Sequence, residues 1–392
     1  MLLPAPVPGC ARGTAALCEM NIRGRERWSP AQWSGPGALV DCAHRYIGYA
    51  FPMTEFREDP MRRSSVILLA VGIVLIVLGA VARFAVTPAV SKLPADTDIA
   101  IKYSGTAHTL LNAQALQQGQ ADKVFAKEVP ITIDRTVTVL ENHGNTAVVK
   151  DTSTMVAGQT KLPTARTFAV DRKTMEATAP PEGVTVEPAS GIAIGFPIGA
   201  DQDDHYTLWI PNLQAAVPVK FARTDTRHGR DVNVYTAAAT GEVKDKETLA
   251  SFPATLPKTT AAALLAALPA ETAAKFGAAS AALPDPIPLT YLFETTVETY
   301  ADQRTGVTID QHLVRTITAA VRAGDKTMPL TQVLSVEADI TDDSQRAQAD
   351  KAADSAKKLT LVSVVVPVIL AVLGAILLVL AVIRRRPAVQ EP

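Results

Sequence analysis

The strongest acidic cluster of the sequence is the stretch DQDDH, residues 201–205. Aspartate oxygens are common ligands of calcium, and histidine and aspartate can both bind zinc. A calcium loop that began at Asp201 would need glycine at position 206 and a bidentate glutamate at position 212. This chain has Tyr206 and Asn212 there. The sequence therefore favours a surface turn over a metal site.

Histidines and a basic stretch are the next candidates for chemistry. The histidines after residue 100 are scattered singly, without zinc-ligand spacing, and each is predicted to be a loop or strand-surface residue. They are His108, His143, His205, His228 and His312. The stretch RTDTRHGR, residues 223–230, concentrates positive charge beside a glycine. We interpret it as a solvated hairpin tip, with contact to an anionic lipid as the alternative.

Motifs of common enzyme classes are absent from the sequence. The chain lacks the phosphate-binding patterns G-x-x-x-x-G-K and G-x-G-x-x-G, the nucleophile motif G-x-S-x-G and the zinc motif H-E-x-x-H. Its formal net charge of −1 gives no indication of a nucleic-acid partner. We predict no catalytic, cofactor-binding or metal-binding residue and no cofactor. An enzyme without a recognisable motif remains an alternative.

Two runs of the sequence are long and apolar enough to form membrane helices. Residues 64–82 and 359–383 contain no charged side chain. A helix rises about 1.5 Å per residue, so about 20 apolar residues cross a hydrocarbon core about 30 Å thick. We predict transmembrane helices at residues 64–86 and 359–383. Small residues, among them Gly72, Gly79 and Gly374, suit close packing of the two helices.

Arginines flank both predicted spans and indicate their orientation. Arg62 and Arg63 precede the first span, and residues 384–386 are all arginine. The positive-inside rule predicts a two-pass plasma-membrane protein with both termini, including the tail at 384–392, in the cytoplasm. The Ala80-Val81-Ala82 triplet would also fit a cleavable signal peptide. The apolar run is longer than a usual signal core, which favours an uncleaved anchor, and either interpretation exports the middle of the chain.

Residues 1–60 differ from the rest of the chain. They contain all three cysteines and two of the three tryptophans, yet they have no apolar periodicity. Met61 directly precedes the basic start of the first span. We interpret this segment as an extension upstream of the true start, Met61, or as a disordered tail.

The region between the spans is predicted to be rich in β-strands. Runs of β-branched residues and alternating patterns are bounded by turn residues. They occupy residues 98–107, 129–156, 166–174, 217–238, 289–321 and 328–340. Hairpin turns are expected at residues 141–145 and between Asp302 and Gly306. We therefore predict an α+β fold, with a mostly antiparallel, β-rich extracytoplasmic domain at 87–340 between two terminal transmembrane helices.

Helices are expected at three places in the exported region. Residues 108–118 form one candidate, and residues 258–283 form two short helices divided by Pro269. Residues 341–358 open with a possible cap, Thr341, and lead into the second span without a helix breaker. We predict that this segment is a stalk helix continuous with the membrane helix.

Three stretches of the sequence resemble a known family. The most specific part of the resemblance is Phe196-Pro197-Ile198-Gly199, followed by Tyr206 and Trp209. The stretches are AVDRKTMEA (169–177), GIAIGFPIGADQDDHYTLWIPNLQAAVPVKF (191–221) and TYADQRTGVTID (299–310). In this arrangement residues 61–386 resemble an uncharacterised family of actinobacterial envelope proteins called "porin PorA family protein". Ile210 stands where the family usually has an acidic residue, and the resemblance supplies no catalytic residue.

The porin label conflicts with the composition of the predicted spans. A conducting path needs polar groups that line water, or a closed barrel with an apolar outer face. Residues 66–82 and 364–383 contain only apolar side chains and glycine. We therefore predict anchors and a non-enzymatic envelope protein whose exported domain binds a lipid, glycan or protein, with an oligomeric channel as an alternative. A lipid ligand would require an apolar tunnel through that domain, by analogy with other two-span lipid conduits.

Overall fold

The computed structural model describes residues 63–264, 270–280, 282–324 and 326–384. The expectations for residues 1–60, for Met61 as the start and for most of the tail at 384–392 therefore lie outside the described residues. The predicted α+β fold, a mostly antiparallel sheet between two apolar terminal helices, is confirmed. The sheet does not close into a barrel within the described part of the chain.

The first helical segment is long and apolar. Helix α1 (Arg63–Val81) continues through a π-helical turn (Ala82–Val86) into the short helix α2 (Thr87–Val90). The whole segment, Arg63–Val90, has the length and composition of a membrane span. Most of its large apolar side chains are exposed, as expected for a helix whose surface faces lipid rather than a protein core.

Fourteen strands are described between the terminal helices. Ten of them form one sheet in the order β5-β4-β3-β1-β14-β13-β12-β9-β8, with β2 attached to β1, and all of its pairs are antiparallel. Strands β6 and β7 form a separate hairpin, and β10 and β11, which residues 257–286 separate in the chain, form a second two-stranded antiparallel sheet. The bounds are β1 Asp98–Leu111, β2 Phe125–Ala126, β3 Val129–His143, β4 Thr146–Ala157, β5 Thr160–Asp171, β6 Thr207–Ile210, β7 Ala215–Pro218, β8 Lys220–Arg227, β9 Arg230–Glu242, β10 Thr255–Leu256, β11 Ile287–Pro288, β12 Thr290–Asp302, β13 Thr308–Ala323 and β14 Lys326–Ile340.

Local turn residues form the predicted hairpins. Gly144, with φ of 64°, lies between β3 and β4, where few side chains would be tolerated. Between β12 and β13 the Asp302 carboxylate accepts hydrogen bonds from the backbone N–H groups of Arg304 and Thr305, and Gly306 has φ of 69°. Both turns follow the expectation that Asp and Gly stabilise tight chain reversals.

The structure corrects one of the predicted helices. Residues 108–111 belong to β1, and α3 spans only Ala113–Gln117, with the side chain of Asn112 as its N-cap. Leu110 and Leu111 pair with β2, so sheet pairing overrides the helical propensity of this stretch. The other short helices are α4 (Lys246–Ala250), α5 (Lys258–Leu264) and α6 (Ala270–Ser280), of which the last two flank the Pro269 region as predicted.

The last strand leads into a long continuous helix. Thr341 accepts a hydrogen bond from the Ser344 N–H and begins α7 (Asp342–Thr360). A π-helical turn (Leu361–Val365) joins it to α8 (Val366–Ile383). This 42-residue segment spans about 63 Å at 1.5 Å per residue. Because β1 and β14 are neighbours in the sheet, the two terminal helices leave it side by side.

Glycines bring α1 and α8 into close contact. A methyl group added at Gly374 would lie 2.7 Å from the Gly72 carbonyl oxygen and 2.6 Å from Ile76. One added at Gly79 would lie 3.2 Å from the Pro367 carbonyl oxygen. The backbones can approach this closely only because these positions have no side chain, in agreement with the packing expected from the sequence.

Candidate binding cavity

The acidic cluster at residues 201–205 forms an exposed turn. The Asp203 N–H donates to the Asp201 carboxylate over 3.2 Å, and the Asp204 carboxylate accepts from the Phe221 N–H over 2.8 Å. Ligand atoms of Asp201, Asp203 and His205 lie within 4.8 Å of one another, but all three residues are exposed. The backbone bonds account for this geometry as a turn, and we infer no metal site here.

Two of the predicted surface histidines lie together on the outer face of the sheet. Nε2 of His108 is 3.4 Å from Glu337, and Nε2 of His312 is 3.7 Å from the same carboxylate. His108 also contacts Glu128 over 3.1 Å, and His312 contacts Asp339 over 2.8 Å. Hydrogen bonds to Glu128 and Glu337 raise the pKa of His108 above 6.5. Sequence spacing could not predict this cluster, because β14 brings the two strands together.

The basic stretch at residues 223–230 is the tip of the β8–β9 hairpin, as predicted. Its arginines are paired with carboxylates. Arg227 lies 2.8 Å from Asp225, Arg230 lies 2.7 Å from Asp302, and Arg223 lies 2.7 Å from Glu298. This pairing leaves little free positive charge for an anionic surface.

A cavity of about 370 Å³ lies inside the curled sheet. Strands β3–β5 at one end of the sheet and β12–β14 further along it line the same space, which brings separate parts of the sheet together. The β6–β7 hairpin and the segment around α4 cover it with Trp209, Asn212, Thr248 and Phe252. Most of the lining is apolar. None of the residues singled out from the sequence as candidate ligands lies on it.

Strand alternation places both apolar and charged side chains on the cavity. On β13 the residues Gln311, Leu313, Arg315 and Ile317 all face inward, because successive side chains point to opposite faces. On β3, Ile133 and Arg135 do the same. The cavity therefore has an apolar wall interrupted by a few polar groups at fixed positions.

Arg135 is fully engaged with a neighbouring carboxylate. Its Nη2 lies 2.7 Å from Oδ2 of Asp151, and its Nε donates to the same group over 3.1 Å. Burial opposes the positive charge, but the Asp151 carboxylate more than compensates and raises the pKa of Arg135. Nearby, the buried Tyr103 hydroxyl donates to Gln311 over 2.9 Å. The charge of Arg135 is therefore neutralised at short range.

Arg166 has two carboxylate partners. Its guanidinium lies 2.7 Å from Asp245 and 2.8 Å from Glu187. Asp245, which is buried, also accepts from the Thr248 backbone N–H over 3.0 Å and so caps α4. Although burial opposes its ionisation, hydrogen bonds from Arg166 and Thr248 lower the pKa of Asp245. This network attaches the covering segment to β5.

Arg315 differs from the other two arginines. No carboxylate lies within ion-pair distance of it in the described part of the chain. Its Nε is buried without a hydrogen-bond partner, and its Cζ lies 5.8 Å from the centre of the Phe293 ring. Burial lowers the pKa of Arg315, and the positive charges of Arg166 and Arg135 lower it further. An anion in the cavity could satisfy these donors.

The arginines of the cavity were not singled out from the sequence, although the sequence contains a signal that two of them face the interior. Two of them occupy the apolar phase of a predicted strand: Arg135 lies between Ile133 and Val137, and Arg315 lies between Leu313 and Ile317. A charged residue in that phase must face the interior of a half-buried sheet. Charged side chains are rarely buried without a pair, so the phase alone marks these positions as unusual.

Comparison with known proteins identifies the family. Residues 64–383 match the family described as Porin PorA. The chain belongs to the Porin PorA family. The match includes both apolar helices and every strand that lines the cavity, so the cavity lies within the family's own region of the chain. It begins after residues 1–60.

Other comparisons add little to the description of this Porin PorA family chain. No curated protein matches it. Among solved structures, a MaoC-like dehydratase aligns at 12% identity and a TM-score of 0.12, covering 64% of this chain and 81% of the other. A Thermobifida fusca protein described as a thioesterase II aligns at 12% identity and a TM-score of 0.11, covering 62% and 80%. Neither similarity bears on function at these TM-scores.

Proposed function

We propose that this chain is a non-enzymatic cell-envelope protein whose β-rich domain binds a small envelope component, such as a lipid or a glycan, in the cavity. The observation that carries this proposal is the cavity itself. Its volume of about 370 Å³ falls within the range of about 300–1,000 Å³ for small-molecule sites. An apolar wall with a few fixed polar groups is also typical of such sites.

We further propose that both terminal helices anchor the protein in the plasma membrane, with the β-rich domain outside. The arginines at 62–63 and 384–386 support cytoplasmic termini. Helices Arg63–Val90 and Asp342–Ile383 have the length and composition of membrane spans. In this arrangement α7 connects the sheet directly to the second span.

A channel is the second candidate, and the family name favours it. Against it, α1 and α8 expose apolar side chains and contain no charged residue between Val66 and Val81 or along α8. A wet path across a membrane needs polar groups at membrane depth. We expect no stepwise conductance from the purified protein in planar bilayers. Conductance that disappears when either helix is deleted would favour the channel instead.

Native mass spectrometry tests the proposed binding function. The full-length protein is purified from membranes of the producing organism in a non-ionic detergent and released into the gas phase. We expect a bound small molecule in stoichiometric amount. The variant Leu313→Phe places a larger side chain on the cavity wall and is expected to lose the molecule. Val314→Phe, on the opposite face of the same strand, is the matched control and is expected to retain it.

Two results would contradict the proposal. One is wild-type protein that carries no small molecule, although circular dichroism shows it to be folded. The other is equal occupancy in both phenylalanine variants, because the bound molecule would then lie outside the cavity.

A further inference from the structure

The chemical nature of the cavity ligand can be narrowed from the charges on the cavity wall. Arg135 is neutralised by Asp151, and Arg166 by Asp245 and Glu187. Glu247 also lines the cavity, but it is exposed and forms no described ion pair with Arg315. Arg315 is therefore the one arginine on this wall whose charge has no close partner among the described residues.

The surroundings of Arg315 are apolar. Leu313 and Ile317 flank it on β13, and Phe293 lies beneath the guanidinium. Its cross-strand neighbours are Thr295 on β12 and Val336 on β14. The Thr295 hydroxyl already donates to the Val314 carbonyl over 2.8 Å. These immediate neighbours offer no negative charge to Arg315.

A buried cation without a partner is unfavourable unless something else supplies the opposite charge. Guanidinium groups bind carboxylates and phosphates through two parallel hydrogen bonds, and these charge-assisted bonds are about twice as strong as neutral ones. The Nε of Arg315 has no hydrogen-bond partner, and the side chain lines a partly open cavity of ligand size. Its two Nη groups form no described hydrogen bond either, and they are not among the fully buried atoms, so a ligand in the cavity can reach them.

We propose that the cavity binds an amphiphile with a single ionised acid group, a fatty-acid-type carboxylate, whose head is held by Arg315 and whose chain lies against the apolar wall. This inference rests on the proposed binding function and specifies its ligand. One uncompensated arginine matches one negative charge, so a monoanionic carboxylate fits better than a dianionic phosphate monoester. The acid would bind ionised, because its protonated form would leave the guanidinium unpaired again.

The test compares two probes of equal chain length. Full-length protein is stripped of bound lipid, transferred to an amphipol and titrated calorimetrically with dodecanoate and with dodecanol. We expect dodecanoate to bind with 1:1 stoichiometry and dodecanol to bind about 10- to 100-fold more weakly, the factor that corresponds to a hydrogen bond to a charged group. Carboxyl-labelled [13C]dodecanoate should give a bound signal that stays ionised at a pH where the free acid is protonated.

Variants on β13 separate the role of Arg315 from general packing. Arg315→Met should weaken dodecanoate binding by about 10- to 100-fold and leave dodecanol binding unchanged. Arg315→Lys keeps the charge and should restore part of the affinity. Arg322→Met, on the same strand but exposed and paired with Glu242, is the matched control and should change neither probe. If Arg315→Met does not fold, Arg315→Gln takes its place in the titrations. The ionised carboxyl signal of dodecanoate bound to wild-type protein also tests the role of Arg315 without any variant.

Different results would overturn different conclusions. Equal binding of both probes, unaffected by Arg315→Met, would refute an acid ligand while leaving binding in the cavity intact. Tighter binding of dodecyl phosphate than of dodecanoate would refute the single negative charge. Failure of dodecanoate to bind folded wild-type protein would refute the inference. If native mass spectrometry also finds no bound molecule, the proposed function fails with it.

Discussion

Arg315 occupies an apolar position of a central strand, and the protein bears an energetic cost for keeping it there. Burial opposes the charge of its guanidinium, its Nε is buried without a hydrogen-bond partner, and no carboxylate among the described residues forms an ion pair with it. Desolvation of a charge costs several kcal/mol unless hydrogen bonds and an opposite charge compensate it. Sites that bind ligands often retain such destabilising groups, because activity and stability make opposite demands on them.

This cost predicts that removing the charge stabilises the empty protein. We expect Arg315→Met to increase the free energy of unfolding by about 1–3 kcal/mol when no ligand is bound, since methionine fills a similar volume without a charge. The measurement is the melting temperature of lipid-stripped protein, which should rise by about 2–4 °C per kcal/mol.

Arg322→Met provides the control for this comparison. Arg322 is exposed and paired with Glu242, and exposed pairs typically contribute less than about 1 kcal/mol. A lower melting temperature for Arg315→Met than for wild type would show that Arg315 has an internal partner and would contradict the argument.

The His108 cluster predicts a pH dependence on the outer face of the sheet. Hydrogen bonds to Glu128 and Glu337 raise the pKa of His108 in the folded protein. The stabilisation is therefore fully present below the ordinary pKa of about 6.5 and is lost as the pH rises through the raised folded value. NMR titration of labelled histidine should report a pKa above 6.5, and Glu128→Gln should lower it. An unchanged pKa in Glu128→Gln would contradict the assignment.

At the scale of residues, the sequence predicted local features well and the site poorly. The turn at Asp302 and Gly306 depends only on neighbouring residues, so its chemistry is readable from the chain. Arg135 and Asp151 are close in sequence and on adjacent strands, but Arg166 and Asp245 are 79 residues apart. Which arginine lacks a partner depends on such long-range pairing, which no local pattern contains.

At the scale of elements, the hairpins were predictable and the order of strands was not. Pairs such as β3–β4 and β12–β13 are joined by short turns, so the sequence predicts them as neighbours. The pairing of β1 with β14 joins residues more than 200 positions apart, such as Tyr103 and Ile340. The helix expected at residues 108–118 begins only at Ala113 for the same reason, because β2 and β14 pair with β1 through Leu111.

The contact between α1 and α8 predicts strong sensitivity at one glycine. Gly374→Leu would place side-chain atoms against the Gly72 carbonyl and Ile76, and such overpacking typically costs about 1–3 kcal/mol. We expect a lower melting temperature of the helical circular dichroism signal in detergent. Val372→Leu, at an exposed position on the same helix, should leave it unchanged. Equal melting temperatures in both variants would show that the helices do not pack in detergent.

At the scale of the whole molecule, the arginine flanks predict the sidedness of the domain. An epitope inserted at Gly158, in the turn between β4 and β5, should be labelled by antibody on intact cells stripped of outer layers. An epitope after Pro392 should be labelled only after permeabilisation, since positive flanks remain in the cytoplasm. The reverse pattern of labelling would refute the proposed topology.

The two outer strands of the open sheet limit how copies of this protein can associate. Along β5, Lys161 and Pro163 occupy the first half, and the N–H groups of Thr178 and Glu187 donate to the carbonyl oxygens of Ala169 and Thr167 in the second. Strand β8 has the charged sequence KFARTDTR. Proline, covering loops and charge are the features by which natural sheets prevent edge-to-edge growth. A multimer built by strand exchange or by continuation of the sheet from one copy to the next is therefore disfavoured, and any assembly has to form through side chains or through the two apolar terminal helices.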